Sequence, residues 1–154
     1  VPEPDTPPDP ETLMRQVVGL IPHALALGIE TVHATRGMAI MRLPYDERLI
    51  GNPENGVLHG GAVTTLIDTV CGLAAVSMPE VPKRVATLDL RIDYLRPATP
   101  KRPLFARAEV YKSTRQIAFL RASAYQDGPG DLVAAAAGTF MFVGPRPTGA
   151  TSRS

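Results

Sequence analysis

The sequence predicts an α+β fold in which a long antiparallel sheet wraps round one central helix. Val63, Leu66, Ile67, Val70 and Ala74 fall at i, i+3, i+4, i+7 and i+11, the spacing of one helical face. From Arg84 onward the chain reads as four alternating strands joined by short links, so neighbouring strands pair antiparallel by default. The 154 residues suit a single domain with one sizeable core.

Residues 1–10 are dense in proline and acidic side chains and read as a disordered tail. The domain is expected over residues 11–143, with residues 144–154, rich in Pro, Gly, Ser and Arg, as a second flexible tail. Leu13, Val17 and Leu20 approach helical spacing over Glu11–Leu20. Asp9-Pro10 offers an N-cap with Pro at the first helical position, and Pro22 breaks the run. His23 then falls in a loop, either facing solvent or lining the mouth of a site. Gly28–Thr35 and Met38–Pro44 read as two strands turned by Arg36-Gly37. Tyr45–Asn55 is a loop leading into the central helix, which Met78–Pro82 closes. The later strands are expected at Arg84–Leu95, Leu104–Tyr111, Gln116–Gln126 and Leu132–Val143. In the first of these, Ala86, Leu88, Leu90, Ile92 and Tyr94 form an apolar face against a mixed face of Val85, Thr87, Asp89, Arg91 and Asp93.

The side of the central helix away from its apolar stripe carries Thr64, Asp68, Cys71, Gly72 and Ala75. That side is small rather than charged, so the helix is expected to lie with one face on the sheet and the other near a second surface, such as another subunit. Asp68 is the odd residue. A carboxylate in apolar surroundings costs free energy unless it is paired, hydrogen-bonded or protonated. The plain reading is structural, with Asp68 bonding Thr64 and Thr65. The sharper reading is a general base or nucleophile, because active sites tolerate such costs. Gly60 and Gly61 stand at the helix start, where backbone N–H groups lack partners and the dipole is positive. With no Cβ, they admit a ligand oxygen to those groups. Gly60 and Asp68 are roughly 12 Å apart along a helix axis, too far to act on one atom. Two antiparallel copies would bring one Gly60 to the other copy's Asp68, which points to a dimer with shared sites.

A net charge of +1 leaves no electrostatic footprint for nucleic acid or a membrane surface. Cys71 is alone, so it forms no internal disulfide, and it reads as a packing residue. Three scattered His and one Cys give no metal-ligand spacing, and no cofactor is expected. The sequence has no uninterrupted apolar run of spanning length and no signal-peptide pattern at its start, so a cytoplasmic location is expected.

The stretch from Asn52 through Gly56-Val57-Leu58-His59-Gly60-Gly61 to Asp68 resembles the PaaI-like acyl-CoA thioesterases of the hotdog fold. Leu88-Asp89-Leu90-Arg91-Ile92-Asp93-Tyr94-Leu95-Arg96-Pro97-Ala98 is similar to the strand those enzymes place after the helix, and the resemblance covers about Ala26 to Val143. It implies hydrolysis of an acyl-CoA thioester by a homodimer that pairs into a homotetramer. Gly60 matches the position whose N–H polarises the thioester carbonyl, with Gly61, Thr64 and Asn55 beside it on the substrate side. His59 matches the His that sits near that carbonyl or orders the loop. Asp68 of the other subunit matches the carboxylate that activates water or attacks directly, and Thr87 the hydroxyl that helps hold the water. The family's Asn or Gln six residues before the His is Pro53 here. Asn52 is the favoured substitute and Asn55 the other, although Asn-Pro and Asn-Gly are also ordinary turn chemistry. Lys112 and Arg115 resemble the region that contacts the CoA phosphates, with Arg96 and Arg84 as further candidates. A solvated surface charge is the plainer account of each of these cations taken singly. Two other readings belong to different classes. One is a non-catalytic acyl-CoA-binding or sensing protein. The other is a hydratase, for which no His follows Asp68 on the helix.

Overall fold

The computed structural model describes residues 10–79 and 83–144. In chain order the elements are α1 (Pro10–Gly19), α2 (Pro22–Ala26), β1 (Glu30–Thr35), β2 (Met38–Leu43), a 3-10 turn at Glu47–Leu49, β3 (Ile50–Asn52), β4 (Val57–Leu58), α3 (Gly60–Val76), β5 (Arg84–Tyr94), β6 (Leu104–Ser113), β7 (Ile117–Tyr125) and β8 (Leu132–Val143). Six strands form one antiparallel sheet in the order β1-β2-β6-β7-β8-β5, and β3-β4 is a separate small hairpin. The chain leaves β2, runs through α3 and re-enters the sheet at its far edge. The sheet therefore curls round α3, which packs on five of the six strands.

The expected helical stripe is the core. Leu66, Ile67, Val70 and Ala74 are fully buried, and Val63 nearly so. Burying each of the larger side chains stabilises by roughly 1.5–3 kcal/mol. The sheet receives them on a floor of small residues. Ala106 lies opposite Ala124 and Ala124 opposite Ala134, while Ala108 lies opposite Ala122. Bulk thus comes from the helix and close approach from the sheet, which is why a core with few aromatics packs at all. Ala124→Leu would insert methylenes into this floor at a cost of about 1–3 kcal/mol.

The structure departs from the sequence reading at several elements. In α1 the buried pair is Met14 and Val18, while Leu20 lies beyond the helix end and is 81 % exposed. Pro22 opens α2 rather than only breaking α1, so His23 stands on a short helix. The loop Tyr45–Asn55 contains the 3-10 turn and β3. β6 runs on to Ser113, placing Lys112 in a strand rather than on the hairpin tip. Pro10, expected in the tail, is the first residue of α1. The Asp9 cap and the tails at residues 1–9 and 145–154 lie outside the described residues.

The largest departure is in β5. Thr87 pairs with Phe140 and Asp89 with Thr139, so Leu88 is an extra residue in a bulge. A one-residue slip changes which face a strand presents. Before the bulge the helix-facing residues are Val85, which lies against Gly72, and Thr87, which reaches Asp68. After it, Leu90 and Ile92 pack on the core and Tyr94 reaches Gly60. The single apolar face expected from Ala86 to Tyr94 is therefore two half-faces joined out of phase, and Leu88 itself is 53 % exposed.

Candidate active site

The corner at His59-Gly60-Gly61 is held from both sides. On the upstream side, Tyr45 Oη donates to Gly56 O at 2.8 Å, and Gly56 takes a φ of +72° that favours glycine. The His59 N–H donates to Leu49 O at 2.8 Å, which brings β3 so close that a Cβ on Gly51 would lie 2.7 Å from His59 Cα. On the downstream side His59 is the N-cap of α3. Its Nδ1 accepts from the Gly61 N–H at 2.8 Å, and its carbonyl accepts from the Ala62 N–H at 2.9 Å. The Gly60 N–H is left with no partner among the described residues. It is exposed, at the positive end of a 17-residue helix. Gly61, grouped with Gly60 on the substrate side, has its N–H occupied by His59.

Asp68 lies two turns further along α3, half-buried rather than enclosed. Thr87 Oγ1 donates to Asp68 Oδ1 at 2.9 Å from β5. Thr64 and Thr65 do not bond Asp68. Their hydroxyls turn back to Gly60 O and Gly61 O at 3.1 and 2.9 Å. Cys71 is fully buried, and its thiol is pushed up to about 12, first by burial and then by the Asp68 charge. It is a packing residue, not a nucleophile.

Asn52 and Asn55 both sit in turn chemistry. Asn52 Oδ1 accepts from the Glu54 N–H at 3.0 Å and Asn55 Oδ1 from the Val57 N–H at 3.1 Å, with both residues exposed beside the corner. Among the cations, Arg96 is engaged by Asp131 at 2.6 Å and braces the turn that follows β7. Lys112 and Arg84 are exposed on their strands. Arg115 lines a cleft of about 370 Å³ past the C-terminal end of α3, together with Arg36, Lys83, Ser113, Met78 and Phe142.

Tyr94, which the sequence reading placed only on an apolar face, and His23, which it left either facing solvent or lining a site mouth, both reach the first turns of α3. Tyr94, at the end of β5, donates to Gly60 O at 3.0 Å and lies 2.7 Å from Thr64 Oγ1. His23 is exposed, and its Nε2 lies 3.2 Å from Thr65 Oγ1, so it faces solvent while touching the central helix. No group of three His, Cys, Asp or Glu among the described residues could hold a metal ion, and no helix there is long and apolar enough to cross a membrane.

Comparison with known proteins agrees with the fold. The protein is 42 % identical to a solved structure from Pseudomonas aeruginosa, with a TM-score of 0.78 over 86 % of this chain and 98 % of that one. It is 47 % identical over 75 residues to a relative from Halobacterium salinarum, a match that takes in 47 % of this chain and only half the length of that relative. It is 27 % identical over 134 residues to the medium/long-chain acyl-CoA thioesterase YigI of Salmonella typhimurium, covering 79 % of this chain and 85 % of that one. Residues 55–133 match the thioesterase superfamily, from the loop before His59 through α3 to the start of β8. With its antiparallel sheet wrapped as a hotdog fold round α3, the chain belongs to the thioesterase superfamily.

Proposed function

We propose that the protein hydrolyses acyl-CoA thioesters to the free acid and CoA, at sites shared between two copies of the chain. The observation that carries this reading is that α3 bears both an open helix-terminal N–H at the exposed Gly60 and a half-buried, hydroxyl-bonded carboxylate at Asp68. The acyl-CoA class is supported by the similarity to YigI.

The chemistry divides between the two groups. The thioester oxygen sits at the Gly60 N–H, where the amide and the helix dipole stabilise the charge that develops on it. Asp68 from the second copy takes a proton from water as the water attacks the carbonyl carbon. Thr87 occupies Oδ1, so Oδ2 is the oxygen that faces the water. In the other route Asp68 attacks the carbonyl itself and water cleaves the resulting anhydride. Both routes end with the C–S bond broken and CoA leaving as its thiol. His59 holds the Gly61 N–H and so makes Gly60 the donor presented to substrate. Asn52 or Asn55 approaches the carbonyl side. Arg115 and Lys112 serve the CoA phosphates, whereas Arg96 already holds Asp131.

A second copy has a place to dock. Among the described residues β5 pairs only with β8, which leaves its outer edge without a strand, and Leu88 and Leu95 are 53 % and 56 % exposed beside it. Docking along this edge would cover both leucines and bring the Thr64 and Asp68 part of α3 toward the second copy. The rest of the small side, expected to face another surface, is taken up within the chain, with Cys71 and Ala75 fully buried and Gly72 against Val85 and Phe140. Dimers of this kind then pair into tetramers.

The test is thiol release from a panel of acyl-CoAs, acetyl to palmitoyl plus phenylacetyl and hydroxybenzoyl, with Asp68→Asn alongside and the oligomeric state read by light scattering. Turnover in the wild type, lost in a dimeric Asp68→Asn, is the expected result. No release across the panel, with acyl-CoA still bound, would turn the protein into a binder and Asp68 into a structural residue.

A further inference from the structure

We infer that Tyr94 is a positioning residue for the Gly60 amide, acting through the first peptide of α3; this rests on the thioesterase reading above. Two glycines at a helix start are the most conformationally free pair a chain can place there. An oxyanion donor works only if its direction is fixed before the charge develops. The peptide between Gly60 and Gly61 is clamped at both ends. Its N–H goes to His59 Nδ1 at 2.8 Å, and its carbonyl lies 3.0 Å from Tyr94 Oη, bonded to it directly or through the Thr64 hydroxyl. The preceding peptide is tied by His59 O to the Ala62 N–H. The Gly60 N–H lies in that His59–Gly60 plane, so with it tied and the following plane held, the N–H has one direction left.

Proton counting assigns the work. Three oxygens meet here: Gly60 O, Thr64 Oγ1 and Tyr94 Oη, with the two hydroxyls 2.7 Å apart. Two protons serve three contacts. Either Tyr94 donates to Gly60 O and Thr64 to Tyr94, or Tyr94 donates to Thr64 and Thr64 to Gly60 O. One hydroxyl proton reaches the carbonyl in both arrangements, beside the Thr64 backbone N–H that the first turn of α3 directs at it, and removing Tyr94 Oη leaves only donors from α3 itself. Only Tyr94 ties that carbonyl to the sheet, because Thr64 belongs to the same helix. Tyr94 is half-exposed, so this hydroxyl does not stand out as a core-packing contact. The bulge at Leu88 is what lets Tyr94 and Thr87 face the helix from the same strand.

The experiment measures Tyr94→Phe, Thr64→Val and the double variant for kcat and KM on the best acyl-CoA of the panel, and follows the Gly60 and Gly61 amides by NMR. Tyr94→Phe is expected to lower kcat about five- to tenfold with KM within twofold. The double variant should fall further than the product of the singles, because each hydroxyl covers for the other. Gly61 amide exchange should rise in Tyr94→Phe, and its melting temperature should stay close to wild type. A Tyr94→Phe kcat within twofold of wild type, in a preparation where Asp68→Asn is inactive, overturns the inference. Wild-type protein that releases no thiol from any acyl-CoA overturns the thioesterase reading instead. The amide measurement needs no substrate and then decides the clamp: unchanged exchange overturns it, and faster exchange sustains it.

Discussion

Thr87 Oγ1 donates to Asp68 Oδ1 at 2.9 Å, joining the edge strand to the half-buried carboxylate of the central helix. A neutral hydroxyl orients a carboxylate and selects which oxygen stays free, without supplying the proton transfer. Thr87→Ala should therefore lower kcat about tenfold, near 1.4 kcal/mol of transition-state stabilisation, and Asp68→Asn by far more. Thr87→Ser should recover most of the loss. Steady-state kinetics of the three variants test this order, and a Thr87→Ala as inactive as Asp68→Asn would make the hydroxyl part of the chemistry itself.

Gly51 sets where His59 stands. A methyl group there would lie 2.7 Å from His59 Cα, against backbone rather than a yielding side-chain tip. Gly51→Ala should force β3 and the His59 corner apart and cost about 1–3 kcal/mol. The melting temperature should fall by about 3–9 °C, with kcat falling alongside as the Gly60 donor moves. A thermal scan and the thiol-release assay on the same sample check both effects.

Cys71 gives a chemical readout of the helix interior. Its thiol, pushed up to about 12, leaves roughly one part in ten thousand ionised at pH 8. Labelling by a disulfide reagent should be slow in the native protein and complete in denaturant. Burial is the larger cause and Asp68 the smaller, so Asp68→Asn should speed native labelling only modestly. Fast stoichiometric labelling of the wild type would show that α3 opens readily.

The central helix was legible because its signal is repeated. Five apolar residues in register mark a face, and the structure buries all five. Thr87 was legible only through family resemblance. Alternation alone put it on the mixed face with Asp89 and Asp93, because an extra residue such as Leu88 leaves no local mark when it is neither Gly nor Pro. Tyr94 was hidden for a related reason: in a period-two pattern a tyrosine counts as an apolar packing residue, and its hydroxyl partner lies thirty-four positions away at Gly60. Gly60 carried more information than either, because a helix terminus creates an unpaired N–H whatever the tertiary context. The short β3-β4 hairpin escaped because turn residues there outnumber strand formers, and two strands of three and two residues present no periodicity to read.

The bulge can be tested by removing it. Val85 and Thr87 face the helix on one side of Leu88, and Leu90, Ile92 and Tyr94 on the other. Deleting Leu88 joins Thr87 to Asp89, whose partners Phe140 and Thr139 are already consecutive. The result is an uninterrupted alternation with every helix-facing residue still facing the helix. The deletion variant should fold, because no ladder pair is broken and Leu88 is more than half exposed within the chain. Any loss of melting temperature should come from the weakened contact with the second copy and track a drop in dimer content by light scattering. Inserting one alanine between Leu90 and Arg91 does the opposite. It throws Ile92 and Tyr94 out of phase with Thr87 and should destabilise the protein strongly. A deletion variant that fails to fold while the insertion is tolerated would reverse the assignment of Leu88 as the extra residue.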